Sequence, residues 1–147
     1  MNARAANRAR SQARRLALQA LYQGQINPRP WQDTHQQYAA DPQSEGMDRD
    51  YFRSLLMDIS NSREELDALI ARFGQIAPQS LDPIEHAALW LGLHELSARP
   101  ELPFKVVLNE AVQLARRFGG TDGHKYVNAV LDRAARELRA AECGPAA

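Results

Sequence analysis

Six arginines near the start of this chain and a compact polar cluster near its end are the residues best suited to chemistry, and that chemistry is recognition of a polyanion. Arg4, Arg8, Arg10, Arg14, Arg15 and Arg29 fall within the first 32 residues, which contain no Asp or Glu. On a helix turning about 100° per residue, Arg8, Arg15 and Tyr22 are nearly eclipsed and Arg4 extends their row. Arg10 and Arg14 make an i, i+4 pair on an adjacent face. Guanidinium groups grip phosphate oxygens bidentately, and an aromatic ring on the same row can stack on an unpaired base. The same residues also fit a solvated, frayed terminus.

The second cluster is Thr121-Asp122-Gly123-His124-Lys125-Tyr126. Backbone N–H groups at a helix start, a base, a histidine and an aromatic can together contact phosphate and stack a base. Asp122 opposes phosphate, although a carboxylate can accept from base amino groups. The plainer reading is a capped helix start with Tyr126 half in the core.

Other chemistries find less support. His86 and His94 are eight apart and point about 80° away from each other on a helix. His94-Glu95 lacks the second histidine four residues on that zinc proteases use. No metal or cofactor is expected. Glycine-rich phosphate loops and a nucleophilic serine elbow are absent, and no nucleophile is paired with a base, so no catalytic residue is assigned. Trp90 is either a core side chain or an anchor for a protein partner, where Trp is favoured. Cys143 is the single cysteine, so no disulfide can close within the chain, as suits a reducing compartment.

Charge is segregated along the chain. Residues 33–101 carry 13 acids against 5 bases, and residues 102–147 carry 7 bases against 5 acids, so a net charge of zero hides a basic start and an acidic middle. Two surfaces for two partners would explain that division. No apolar run reaches the roughly 18 residues of a membrane span, and a secretory core is lacking, which leads us to expect a soluble, cytoplasmic protein.

The elements that must position these residues are helices. Apolar residues recur at three and four, and no period-2 strand stands out. The pattern predicts an all-α fold of about seven helices, in one domain of 147 residues or two small subdomains sharing a core. The first helix is expected over 7–24, the second over about 30–40, and a loop over 41–46. A third begins near Asp48, with Phe52, Leu55, Leu56 and Ile59 on one face. A fourth is capped by Asn61 or Ser62 and stopped by Gly74. Asp82-Pro83-Ile84-Glu85 is a strong start signal: Asp82 caps, Pro83 takes the first helical position and Glu85 completes a box-like pairing. The helix it opens is apolar nearly all round and belongs at the centre, with Glu95 at the edge of its stripe. Pro103 opens a further helix closed by Gly119-Gly120, and Thr121 is expected to cap the last, which ends near Leu138.

Four stretches taken together resemble the NusB family of bacterial transcription antitermination factors. They are Arg14-Arg15-Leu16-Ala17-Leu18-Gln19-Ala20-Leu21-Tyr22; Asp82-Pro83-Ile84-Glu85 through His94-Glu95-Leu96; Pro103-Phe104-Lys105-Val106-Val107-Leu108-Asn109-Glu110-Ala111; and Phe118-Gly119 through His124-Lys125-Tyr126-Val127-Asn128-Ala129-Val130-Leu131-Asp132. The resemblance runs in order over residues 10–138. Asn128-Ala129 stands where the family usually has Asn-Gly, and His94 where an aromatic is more frequent.

The resemblance implies two packed helical bundles, about 7–75 and 80–141, within a single domain. It implies a non-catalytic protein that binds the boxA element of ribosomal RNA transcripts with NusE, a small-subunit ribosomal protein, in the RNA polymerase antitermination complex. Carried onto this sequence, with Arg8 added from the arginine row, the RNA surface comprises Arg8, Arg10, Arg14, Arg15, Tyr22, Asp122, Lys125 and Tyr126. The NusE surface comprises Glu85, Leu89 and Trp90. That partner is basic, and the acidic middle of the chain would complement it. Two other functions compete: a helical protein–protein scaffold, and an RNA-guiding relative of the helical domain found in ribosomal RNA methyltransferases. For the latter, 147 residues leave no room for a cofactor-binding α/β domain.

Overall fold

Side-chain caps at Asn2, Asp48 and Asp82 open three of the helices. In the computed structural model, which describes residues 2–144, the Asn2 side chain accepts the Ala5 N–H at 2.8 Å. That cap opens α1 (Ala3–Ile26) four residues earlier than the sequence pattern suggests. Gly24 does not stop it; the helix runs on until Pro28 and Pro30 make continuation impossible. After α2 (Trp31–Ala39) and a 3-10 turn at Pro42–Ser44, the Asp48 carboxylate accepts the Tyr51 N–H and opens α3 (Arg49–Ser60). Then follow α4 (Arg63–Phe73), a 3-10 turn at Pro78–Ser80, and α5 (Pro83–Ala98). The last three are α6 (Phe104–Phe118), α7 (Gly123–Leu138) and the short α8 (Ala140–Cys143). The described residues are all-α, without a strand. Part of the Ala- and Pro-rich C-terminal end lies outside them.

The helices group into two compact units, one ending at Ser62 and the other beginning at Arg63. This differs from the boundary near 75–80 that was expected. The reason is that α4 packs on α5 and α7, and Arg72 of α4 pairs with Glu137 of α7.

In the first unit α1 packs along α3, with α2 against both. Phe52, Leu55, Leu56 and Ile59 of α3 are buried as the apolar spacing required. The amphipathic α2 contributes aromatic rings instead of aliphatic bulk: His35 stacks on Phe52 at 5.7 Å between centroids, and Tyr38 meets the same ring at 6.5 Å.

In the second unit α5 lies at the centre, against α4, α6 and α7, and every residue from His86 to Leu96 is buried. The Glu95 and Arg99 carbonyls at its C-terminal end already accept the Arg99 and Leu102 N–H groups, and Arg139, at the junction of α7 and α8, adds a side-chain donor. It donates to the carbonyls of Glu95, Leu96, Arg99 and Leu102 at 2.8–3.2 Å, and to Glu142 Oε1 at 2.6 Å. The other oxygen of Glu142 accepts the Phe104 N–H at 2.7 Å, at the start of α6. That N–H above all, and then Arg139, hold the Glu142 carboxyl below its ordinary range. One turn of chain thereby ties down the end of α5 and the beginning of α6.

Candidate nucleic-acid interface

The arginines of α1 are sorted by what they touch. Arg4 and Arg8 are exposed. Arg10 and Arg14 both turn toward α3, where their guanidinium carbons lie 5.4 and 5.5 Å from the centroid of the Tyr51 ring. A cation held over a ring face gains about 0.5–2 kcal/mol, more as water is excluded. Arg10 remains half-buried, but Arg14 is only 3% exposed. Arg14, expected on the RNA surface, is therefore withdrawn from it, because its helical position faces α3 and buries the side chain there. Arg15 and Tyr22 are half-buried, and the buried Nε atoms of Arg10 and Arg15 make no hydrogen bond among the described residues.

α1 is also anchored at Ala9 and Gln12. The Asp48 N–H donates to the Ala9 carbonyl at 3.0 Å, and Gln12 Nε2 donates to the carbonyls of Gln43 and Glu45. The basic stretch is thus a tethered helix, which fixes the spacing of its side chains and argues against the frayed-terminus reading.

In the second unit, α7 begins at Gly123 with Asp122 in the cap position, so Thr121 lies outside the helix and is not its cap. The Asp122 side chain makes no capping bond; it pairs with Lys125 at 3.2 Å, and both side chains are 72% exposed. Such a pair contributes little to stability, about 0–1 kcal/mol, but it offsets the lysine's charge locally.

Tyr126 has a task that spacing did not reveal. Its hydroxyl accepts the N–H groups of Gln75 and Ile76, each at 3.0 Å, closing the turn after α4. A β-carbon at Gly74 would come within 2.5 Å of that oxygen, so the latch requires glycine there. The half-buried ring is positioned by this contact, and His124 beside it is half-buried as well.

The residues expected to meet a protein partner fall differently. Leu89 is 0% exposed and Trp90 3%, so neither forms part of a surface. Both lie on a helix apolar on every side, and Trp90 takes the core reading. Its indole N–H donates to Asp67 Oδ1 at 2.8 Å, the same oxygen lies 2.7 Å from His86 Nε2, and the Arg63 guanidinium sits 5.1 Å from the indole ring. Glu85 is half-buried. The Asp82 carboxylate accepts the Ile84 and Glu85 N–H groups as expected, but the Glu85 carboxylate lies against Gly123, where a β-carbon would be 2.6 Å from its Cδ. Burial, and next the nearby Asp82 charge, raise the Glu85 pKa.

Among the described residues no group of three or more His, Cys, Asp or Glu side chains is arranged to hold a metal ion, and no helix is long and apolar enough to cross a membrane.

Comparison with known proteins agrees with this architecture. The family model described as the NusB family matches residues 11–136. The transcription antitermination protein NusB of Hahella chejuensis is 44% identical over 137 residues, covering 93% of this chain and 92% of that protein. The protein of the same name from Marinobacter nauticus is 42% identical over 136 residues, covering 92% and 86%. A solved structure of Thermotoga maritima NusB superposes with a TM-score of 0.77 at 23% identity, covering 86% of this chain and 90% of the other, a likeness of fold. With a family match over most of its length and relatives above 40% identity across nine-tenths of it, this chain belongs to the NusB family.

Proposed function

We propose that this chain is a non-catalytic RNA-binding factor of transcription antitermination, acting in the cytoplasm on the boxA element of ribosomal RNA transcripts together with NusE. The observation that carries the reading is the anchored, acid-free α1, on which Arg4 and Arg8 are exposed and Arg10 is oriented by Tyr51. Arg4, Arg8, Arg10 and Arg15 neutralise backbone phosphates, and Tyr22 stacks on an unpaired base. The start of α7 adds a further contact, in which Lys125 takes a phosphate while Asp122 accepts from a base amino group and Tyr126 offers the face of its ring. The names of the curated relatives support the antitermination role. NusE, a basic partner, would find complementary charge in residues 33–101, and Glu85 is the one residue of the expected partner set that is not fully buried.

The test is a titration of a boxA-containing RNA and a scrambled RNA of equal length, with and without NusE. Tighter binding of the boxA RNA, tightened again by NusE, is the expected result. Equal affinity for the two RNAs under both conditions would remove the sequence-specific reading.

A further inference from the structure

We propose that a polar cleft at the C-terminal end of α1 is a subsite for a single nucleobase, which extends the RNA contact beyond the arginine row. The inference rests on the RNA-binding reading above and adds a second mode of recognition to it.

The cleft encloses about 230 Å³ within the first unit and is lined by Gln23, Asn27, Arg29, Thr34, Gln37 and Tyr38, with Gly24 at its wall. It exists because Pro28 and Pro30 turn the chain sharply from the last turn of α1 into α2. Its basic group is held in place. Arg29 Nε donates to Thr34 Oγ1 at 3.2 Å, and its Nη2 donates to the Asp33 carbonyl at 3.4 Å and to Gln37 Oε1.

The chemistry of the lining matches a base. Gln23 and Asn27 are exposed amides, each presenting a donor and an acceptor side by side, as the edge of a base does, and Gln37, whose Oε1 accepts from Arg29, offers its amide donor. Tyr38 supplies an aromatic face, steadied by its contact with Phe52. Burial, then the charge of Asp41, push its phenol pKa upward. Arg29 can meet the phosphate beside the bound base.

The cleft is also within reach of the arginine row. At about 1.5 Å rise and 100° turn per residue, Gln23 lies roughly 12 Å along α1 and roughly 80° around it from Arg15. A single strand gripped by the row could continue into it within a few nucleotides. None of its lining side chains is acidic, and the acid that acts on Tyr38, Asp41, stands outside the lining.

The experiment compares a boxA RNA with the same RNA extended by three unpaired nucleotides at either end, binding to the full chain. One extension is expected to tighten binding about tenfold, the scale of one stacked base. Abasic substitution within that extension should abolish the gain while leaving its phosphates in place. Gln23→Ala/Asn27→Ala, and separately Gln37→Ala, should lose the gain yet bind the unextended RNA within about twofold of the parent chain. All three side chains are exposed, so helicity by circular dichroism should be unchanged. If the unextended RNA binds but neither extension adds affinity, or if the gain survives these substitutions or the abasic replacement, the subsite is refuted while the RNA reading stands. If the unextended RNA does not bind, both are refuted.

Discussion

Arginine does opposite work in the two units of this chain. In the second, Arg139 is buried and its donors serve the carbonyls of Glu95, Leu96, Arg99 and Leu102 and the Glu142 carboxylate. In the first, Arg4 and Arg8 are exposed on a stretch with no acid to pair with, and Arg10 is steadied by a ring that leaves its charge uncompensated. A guanidinium surrounded by internal acceptors contributes to folding; one that stays at least half-exposed without an acidic partner keeps its charge for a ligand. Position in the sequence does not separate these cases, but the surroundings do.

The largest effect that would sharpen this contrast is Arg139→Ala. It should lower unfolding free energy by about 2–4 kcal/mol in urea denaturation, because the Leu96 and Leu102 carbonyls lose the buried guanidinium that donates to them. RNA affinity per folded molecule should not change. Loss of RNA binding without loss of stability would reverse the assignment.

Acid should reveal the same clamp. The folded pKa of Glu142 is depressed, so its stabilising contribution is present above the unfolded value and is lost as pH falls through the folded value. Glu142→Gln should flatten that acid limb in a pH series of urea midpoints; an unchanged limb would show that the carboxylate is not coupled to folding.

Tyr126→Phe removes the acceptor of two N–H groups and should cost about 1 kcal/mol of stability, since the turn it closes can recruit water. If it weakens RNA binding instead, with stability intact, the hydroxyl belongs to the interface. The smallest effect is expected from Lys125→Ala, about twofold in RNA affinity, because Asp122 already offsets that charge. A loss as large as that from Arg8→Ala would show that the two regions contribute alike.

The parts of the fold legible in the sequence were those specified locally. Asp82 and Pro83 announced α5, and the continuous apolar character of 86–96 announced its burial. The periodicity of α3 gave its buried face. What escaped was set by distant partners. Nothing near Arg14 signals Tyr51, and nothing near Tyr126 signals the turn at Gln75 and Ile76, fifty residues earlier in the chain. Arg139 resembled any solvated arginine until the carbonyls of α5 and of Leu102 were brought to it. Thr121 looked like a cap, yet the helix began one residue later. Leu89 and Trp90 were assigned to a surface by resemblance, although the same all-apolar pattern that placed α5 centrally argued for their burial.

The central claim is that uncompensated arginines on α1 supply the electrostatic grip on RNA. The most direct test is the slope of log K against log salt concentration for boxA RNA binding to the parent chain and to a variant with Arg4, Arg8, Arg10 and Arg15 replaced by Gln. About five neutralised phosphates give a parent slope near −3.5, at roughly −0.7 per single-strand contact, and removing four of them should leave a slope near −0.7. A parent slope close to zero, or a slope unchanged by the four substitutions, would contradict it.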